Sequence, residues 1–289
     1  MTGSPEEMTP DATAVAASWL ARYERFDVVG STNDVVAGWL QEGTPEVCVA
    51  LADLQSAGRG RDGRTWQAPP GAALLASVGF RPTWLDVGHL WRLSAIVSLA
   101  MAEACEVAGG LRHGAIHLKW PNDLVVIDHS TGEVRKLAGV LGETRGIGTA
   151  DSTAVVGIGA NVTWARNRFP KELAGSMTSL SELAPGKPVD REVAIHVFLQ
   201  RLEGLVAALR AGDFPAETWS RRRLSVSTAW TARRSPLATV RSIGGTPTPD
   251  VTATFHSRRL TSKATYNVGS FTLTLRVIVV ITASWTARH

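Results

Sequence analysis

Between Gln55 and Trp66 the chain reads QSAGRGRDGRTW, three glycines interleaved with three arginines. Gly58, Gly60 and Gly63 leave backbone N–H groups bare to an approaching anion, and Arg59, Arg61 and Arg64 add rigid two-pronged donors shaped for carboxylate or phosphate. Guanidiniums this close repel one another, so the loop is expected to order only on an anion. Opposite unit charges about 4 Å apart attract by roughly 4 kcal/mol at an effective dielectric near 20. The same glycines fit the dinucleotide fingerprint G-x-G-x-x-G, which must open a helix whose N-terminus holds a pyrophosphate. Trp66, Pro69, Pro70 and Gly71 break any helix there, and the dinucleotide reading fails. Taken singly, the stretch also reads as an exposed cationic loop without function.

A second group of reactive types is KWPND, Lys119 to Asp123, followed by RKLAGVLGE, Arg135 to Glu143. Pro121 forces an extended or turn backbone at Trp120 and sets Asn122 and Asp123 at a strand junction, as short polar groups able to orient an amine, a hydroxyl or a metal. Lys136 stands where an apolar strand begins. Either lysine alone reads as a solvated strand end, and Asp123 alone as a turn cap. A third piece, GIGANV from Gly157 to Val162, puts paired glycines at a strand end, for close approach of a ligand or for a bulge.

The elements that hold these groups follow from periodicity. Arg25 to Gly30 reads as a strand, and Ser31 and Thr32 are N-cap types for a helix patterned by Val35, Val36, Trp39 and Leu40 and ended near Gly43. Val47 to Leu54 and Ala72 to Phe80 are expected as central strands around the arginine loop. A long helix should span His89 to Val107, stopped by Gly109 and Gly110. Ile116 to Trp120, Leu124 to Ile127, Lys136 to Gly142 and Ala154 to Ile158 read as strands, with a hairpin turn at His129 to Glu133. Helices at Arg191 to Leu209 and around Phe214 to Arg222 close the region. Strands and helices are partly segregated, so the class is α+β with a sheet of six or more strands.

Length and charge bound the rest. The 289 residues suffice for one domain and an appendage, and the net charge of +4 is unevenly spread. Residues 221–289 hold 11 Lys/Arg against Asp250 alone, while residues 1–220 carry a net charge of −6. The body is therefore not a general polyanion binder. Residues 1–16 are polar and acidic, with no apolar leader, and no apolar run approaches a membrane span, which reads as a cytoplasmic protein. Cys48 and Cys105 fit neither a disulfide framework nor a metal spacing and read as small buried hydrophobes.

In order and spacing, STN (Ser31 to Asn33), Q-x-x-GRGRxGRxW (Gln55 to Trp66), KWPND, KLAG (Lys136 to Gly139) and GxGxN (Gly157 to Asn161) resemble the biotin-protein ligase family over about 200 residues, Phe26 to roughly Ser220. The resemblance implies a mixed, largely antiparallel sheet packed by helices, of the class II synthetase-like biotin and lipoate ligase kind. It implies an enzyme that joins biotin to ATP as biotinyl-5'-AMP, with Mg²⁺ on the triphosphate. The biotin then passes to one lysine of the biotin carboxyl carrier domain of an acetyl-CoA or acyl-CoA carboxylase.

By the same resemblance Ser31, Thr32, Asn33 and Gln55 would hydrogen-bond the ureido ring, and Gly139, Gly157 and Gly159 would line the slot for the bicyclic ring and valeryl chain. Arg59, Gly60 and Arg61 would fold over the biotin carboxylate and adenylate phosphate, with Lys136 bonding the carboxylate and then the acyl phosphate. Arg64, Trp66, Lys119, Asn122 and Asn161 would serve ATP, Trp66 near the adenine. Lys136, Arg61 and Asp123 are the catalytic candidates, Asp123 as the carboxylate that orients the acceptor lysine or takes its proton, since that amine is almost wholly protonated at neutral pH.

The expected domains are a flexible segment 1–20, a catalytic domain 21–220 and an atypical region 221–289. Only about 25 residues precede the first strand, too few for a DNA-binding helix-turn-helix, so no specific DNA binding is expected. Family members end in a small β-barrel, which this tail matches poorly despite the strand character of Phe271 to Ile281. A degenerate barrel and an abnormal extension, such as a shifted reading frame, both remain open. The competing functions are a lipoate-type ligase or acyltransferase, and a non-catalytic module binding biotin or nucleic acid.

Overall fold

The computed structural model describes residues 17–128 and 130–224 and the backbone of two later strands. Seven strands, β1 (Arg22–Val29), β2 (Cys48–Gln55), β3 (Ala73–Phe80), β4 (Ile116–Lys119), β5 (Asp123–Ile127), β6 (Val134–Arg145) and β7 (Thr153–Asn161), form one sheet in the order β1-β2-β3-β7-β6-β5-β4. Only β1 and β2 run parallel; the other pairings are antiparallel. The α+β class and the mixed, largely antiparallel sheet are as the sequence implies. The helices are α1 (Thr32–Gln41), α2 (Trp91–Ala108), α3 (Leu180–Leu183), α4 (Arg191–Arg210) and α5 (Ala216–Arg222).

Strand alternation divides the sheet into two unlike faces. Leu74, Ala76, Val78 and Phe80 of β3 and Ala154, Val156, Ile158 and Ala160 of β7 point into the main core, which α2 and α4 cover. Lying between sheet and α4, α2 is apolar around most of its circumference, with Leu93, Ile96, Val97 and Met101 fully shielded. The opposite face carries Ser77, Gly157 and Gly159. It is covered only at one end, where Val36, Trp39 and Leu40 of α1 pack on Cys48, Ala50 and Val155. A Cβ on Gly79 would stand 2.6 Å from both Cys48 Sγ and Val36 Cγ1, so the missing side chain lets α1 seat there. The rest of that face floors a cavity.

At the far edge, α5 is tied down by a buried ion pair. Arg222 donates to Glu106 at 2.7 and 2.9 Å and to the Ile116 carbonyl at 3.0 Å, and the next residues continue onto β4 through Leu224 N–H to Leu118 O at 3.0 Å. A domain end at residue 220 would cut α5 and strip this anchor, so the boundary expected from sequence is too early. Polar bonding, invisible to a composition argument, holds residues 221–224 in place.

Residues 235–289 form a second unit. In it β8 (Ser262–Val268) and β9 (Phe271–Val277) pair antiparallel, Val268 opposite Phe271. The strand expected at Phe271 to Ile281 is thus seen as far as Val277, and β8 was not foreseen. The expectations placed on residues 1–16, His129, Trp230, Asp250 and Trp285 lie outside the described residues. Both cysteines are buried and free, and burial lifts their thiols to about 11 for Cys48 and about 12 for Cys105. Among the described residues no helix is long and apolar enough to cross a membrane.

Candidate active site

The uncovered face of the sheet floors a cavity of about 850 Å³. Register explains the floor. One row across the strands pairs Asp123 with Gly139, Gly139 with Gly159, and Gly159 with Leu75; the next pairs Leu141 with Gly157, and Gly157 with Ser77. Three of these inward positions are glycine, which leaves a slot where side chains would stand. Because β7 pairs in unbroken register with both neighbours, its glycines serve close approach and not a bulge. The indole of Trp66 lies on this floor: a Cβ at Gly159 would stand 2.5 Å from its ring, and one at Gly139 would stand 3.0 Å from it. Trp66, given to ATP by the resemblance, therefore shares a contact set with the glycines given to biotin, and its Nε1 is buried without a hydrogen-bond partner.

Lys136 reaches the floor because of a bulge. In a regular strand Lys136 and Gly139, three residues apart, would face opposite sides. Instead Val125 pairs with Lys136 while Leu124 pairs with Ala138, which leaves Leu137 as the extra residue, buried in the core beside Ala138. Residues 176–178 take up the backbone groups freed at the bulge: Lys136 N–H donates to Ser176 O at 2.7 Å, and Thr178 N–H to Lys136 O at 2.9 Å. The phase change sends the lysine side chain over Gly139. Its Nζ stands 2.6 Å from Asp123 Oδ1, at an angle that makes an ion pair and not a hydrogen bond, and 5.4 Å from the Trp66 ring centre.

The other end of the cavity is a polar wall. Gln55 Oε1 accepts from Thr32 N–H at 2.7 Å and lies 2.9 Å from Thr32 Oγ1, while buried Ser77 Oγ lies 2.7 Å from Thr32 Oγ1 and 2.6 Å from Asn33 Oδ1. Asn33 Nδ2 donates to Glu143 at 2.6 Å, and its Oδ1 would sit 2.2 Å from a Cβ on Gly157. Ser31 is the N-cap of α1 by backbone conformation, without a side-chain cap bond, and it lines the cavity.

The arginine loop is a self-closed hairpin. Trp66 N–H donates to Gly58 O at 2.9 Å and Gly60 N–H to Arg64 O at 2.7 Å, with one 3₁₀ turn at Arg61–Gly63 in which Asp62 adopts φ 58°. No α-helix follows, in line with rejection of the dinucleotide fingerprint. A Cβ on Gly58 would strike Trp66 O at 2.4 Å, which accounts for that glycine. These backbone bonds and a side-chain latch close the loop. In the latch Arg59 donates to both oxygens of Asp34 at 2.7 and 2.8 Å and to Glu143 at 3.1 Å. The hydrogen bonds from Arg59 hold the Asp34 carboxyl below its usual range, and the same bonds raise Arg59 further. Its charge is thus already matched, whereas Arg61, Arg64 and Lys119 line the cavity with no ion pair among the described residues. They are the cations left for an anion.

Two residues given to ATP by the resemblance have partners within the protein. Asn161 is fully buried and donates from Nδ2 to Thr178 O at 2.9 Å, bracing the 176–178 segment and not lining the cavity. Asn122 does line it, but its amide donates to Val140 O at 3.1 Å and holds the strand junction. Sequence reasoning passed over Ser77 and Asp34, and quoted Glu143 only as the end of a motif. A single hydroxyl in the apolar strand ALLASVGF was the available signal for Ser77. Among the described residues no group of three or more His, Cys, Asp or Glu side chains is placed to hold a metal ion.

Comparison with known proteins agrees with this geometry. Residues 25–161 match the model of the biotin/lipoate A/B protein ligase family. The chain is 31% identical over 174 residues to the bifunctional ligase/repressor BirA of Bacillus spizizenii, covering 60% of this chain and 50% of that protein. It is 33% identical over 192 residues to the biotin--[acetyl-CoA-carboxylase] ligase of Mycobacterium tuberculosis, covering 65% and 66%. The match thus spans half the length of the Bacillus protein. A solved structure of the biotin protein ligase from Aquifex aeolicus in complex with biotin and ATP superposes with a TM-score of 0.54 at 27% identity, over 68% of this chain and 74% of that one. The Leishmania major biotin protein ligase in complex with biotinyl-5-AMP, 22% identical, shares the fold with a TM-score of 0.53 over 88% of this chain and 98% of that one.

Proposed function

From the match of residues 25–161 to the model of the biotin/lipoate A/B protein ligase family, we propose that the chain is an ATP-dependent biotin-protein ligase acting on a lysine of a biotin carboxyl carrier domain, in the cytoplasm. The observation that carries the reading is a single cavity that brings together a polar wall, a glycine floor under an indole, a carboxylate-paired lysine and three cations with no ion pair among the described residues. That set matches a polar ring, an apolar chain and an anionic head.

In the first step a biotin carboxylate oxygen attacks the α-phosphorus of ATP, the bond to the bridging oxygen breaks, and pyrophosphate leaves. Such a transfer needs in-line positioning and neutralisation of charge, and no protein nucleophile. Lys136 holds the carboxylate, and Arg61, Arg64 and Lys119 balance the phosphates. Mg²⁺ would screen the charge of the triphosphate, and Asp62 and Asp123 are the carboxylates that line the cavity.

In the second step the acceptor amine attacks the acyl carbon, AMP leaves, and the nitrogen loses its protons. Asp123 and Lys136 are in contact, so an anion that draws the ammonium of Lys136 frees carboxylate oxygens of Asp123 at the acyl centre. Those oxygens orient the incoming ammonium and accept its proton. Mass spectrometry of a carrier domain incubated with the protein, biotin and Mg·ATP tests the reading. A gain of one biotin on one lysine is expected, and an unmodified carrier overturns it.

The family model also spans lipoate ligases. The hydrogen-bonding wall of Thr32, Asn33, Gln55 and Ser77 favours a ring with polar edges over a dithiolane. Competition between labelled biotin and lipoate for transfer decides between them.

A further inference from the structure

Lys136 reaches the cavity only because β6 bulges, and the segment that takes up the bulge is fastened from behind. In that segment Met177 pairs in parallel with Lys136. Strand alternation puts these two side chains on one face, and both line the cavity. Their neighbours Arg135 and Thr178 point to the other side, and neither lines the cavity. There one carboxylate meets both: Glu182 Oε2 accepts from Thr178 Oγ1 at 3.0 Å, and Glu182 Oε1 accepts from Arg135 and from Arg166. Every polar group of Thr178 is thereby committed, its N–H to Lys136 O at 2.9 Å, its carbonyl to Asn161 Nδ2 at 2.9 Å and its hydroxyl to Glu182. Thr178 is fully buried, so a partner lost here is not replaced from bulk water. Burial works to raise the Glu182 carboxyl, yet the Arg166 and Thr178 hydrogen bonds and the Arg135 charge hold it below its usual range, which keeps it an anion at neutral pH.

We infer that Glu182 is a positioning residue for Lys136: from behind the sheet it holds Arg135 and Thr178 together, and so fixes the bulge that carries the lysine ammonium to Asp123. Glu182 does not line the cavity, so it acts through the lysine and not on a substrate. The inference rests on the proposed part of Lys136 in adenylate formation and names what keeps that lysine in place. Two adjacent cations are sorted to opposite faces, Arg135 to Glu182 behind and Lys136 to Asp123 in front. A slip of the bulge by one residue would turn Lys136 away from the cavity.

In Glu182→Gln one oxygen becomes an amide nitrogen, which can only donate, so either Thr178 or the two arginines lose their acceptor. Adenylate formation, followed as pyrophosphate release at saturating biotin and ATP, should slow about tenfold, the worth of one buried hydrogen bond passed on to the reacting lysine. Thr178→Val keeps the shape, removes only the hydroxyl, and should slow the step likewise. In a Lys136→Ala background neither substitution should change the residual rate by more than about twofold, because the lysine through which they act is gone.

A parental rate in both variants of the full chain overturns the inference. So does an equal fold-loss with and without Lys136, which would make Glu182 a support of the fold alone. A parent that releases no pyrophosphate overturns the proposed function instead. Labelling of Lys136 by an amine-reactive ester, read by mass spectrometry, then decides its placement without any substrate: a lysine displaced from Asp123 should label faster in Glu182→Gln than in the parent, and an equal rate overturns the inference.

Discussion

At the scale of single residues, the site works by what is absent as much as by what is present. Gly159 is the clearest case, since a methyl there would stand 2.5 Å from the Trp66 indole. In Gly159→Ala the ring must move or the slot must fill, an overpacking that costs about 1–3 kcal/mol. Biotin binding measured by calorimetry should weaken by about ten- to a hundredfold, with the circular dichroism spectrum retained. Lys136→Ala removes the charge nearest the reacting carboxylate and should slow adenylate formation by about 10²–10³-fold, as loss of one preorganised charge donor does. Pyrophosphate release near the parental rate would remove Lys136 from the mechanism.

At the scale of elements, the arginine loop and the α5 anchor each make a prediction. The loop is closed by backbone bonds and by Arg59, so Arg61→Gly should keep its shape and lose a clamp. The variant should still make the adenylate but release it, seen as free biotinyl adenylate and as biotin on bystander proteins; retention as tight as the parent's would give the loop another task. At the anchor, Glu106 is buried with Arg222. Burial alone would raise its carboxyl, yet the Arg222 hydrogen bonds and the Ile116 N–H bring it below the ordinary value of 4.5. A lowered folded pKa means the pair stabilises the fold at neutral pH. That contribution fades as pH falls below 4.5 through the folded value. Glu106→Gln leaves a buried guanidinium without its counter-charge and should cost about 3–5 kcal/mol in denaturant unfolding at pH 7. Its deficit relative to the parent should shrink in acid; a deficit independent of pH would remove the ion pair as the cause.

At the scale of the molecule, the same anchor sets how far the chain stays tied to the seven-stranded sheet. A chain stopped after Leu224 keeps the Arg222 bonds and the Leu224–Leu118 backbone bond; one stopped after Trp219 loses both. The first should melt in one transition and bind biotin, and the second should melt well below it in scanning calorimetry. Equal melting temperatures would restore the boundary at 220.

Much of this was legible in the chain itself. The long helix, the strands beside the arginine loop and the strand–turn–strand around KWPND are written in local apolar periodicity, which local sterics and burial read directly. The STN, GRGRDGR, KWPND, KLAG and GIGAN segments named most of the groups lining the cavity, and Cys48 and Cys105 were correctly read as buried. What a linear pattern could not carry was phase and partnership. The bulge at Leu137 turns Lys136 onto the same face as Gly139, because an extra residue reverses strand alternation and only a second strand can reveal it. Asn161 looked like a ligand group and is a buried brace, while Arg59 looked like a free cation and is matched by Asp34 and by Glu143, 84 positions along the chain. The sequence alone determined which chemical groups exist and which segments become strand or helix, since those depend on neighbours a few residues apart. Only the tertiary structure decided which charges cancel and which stay free for a substrate, since that depends on distances between segments far apart in the chain.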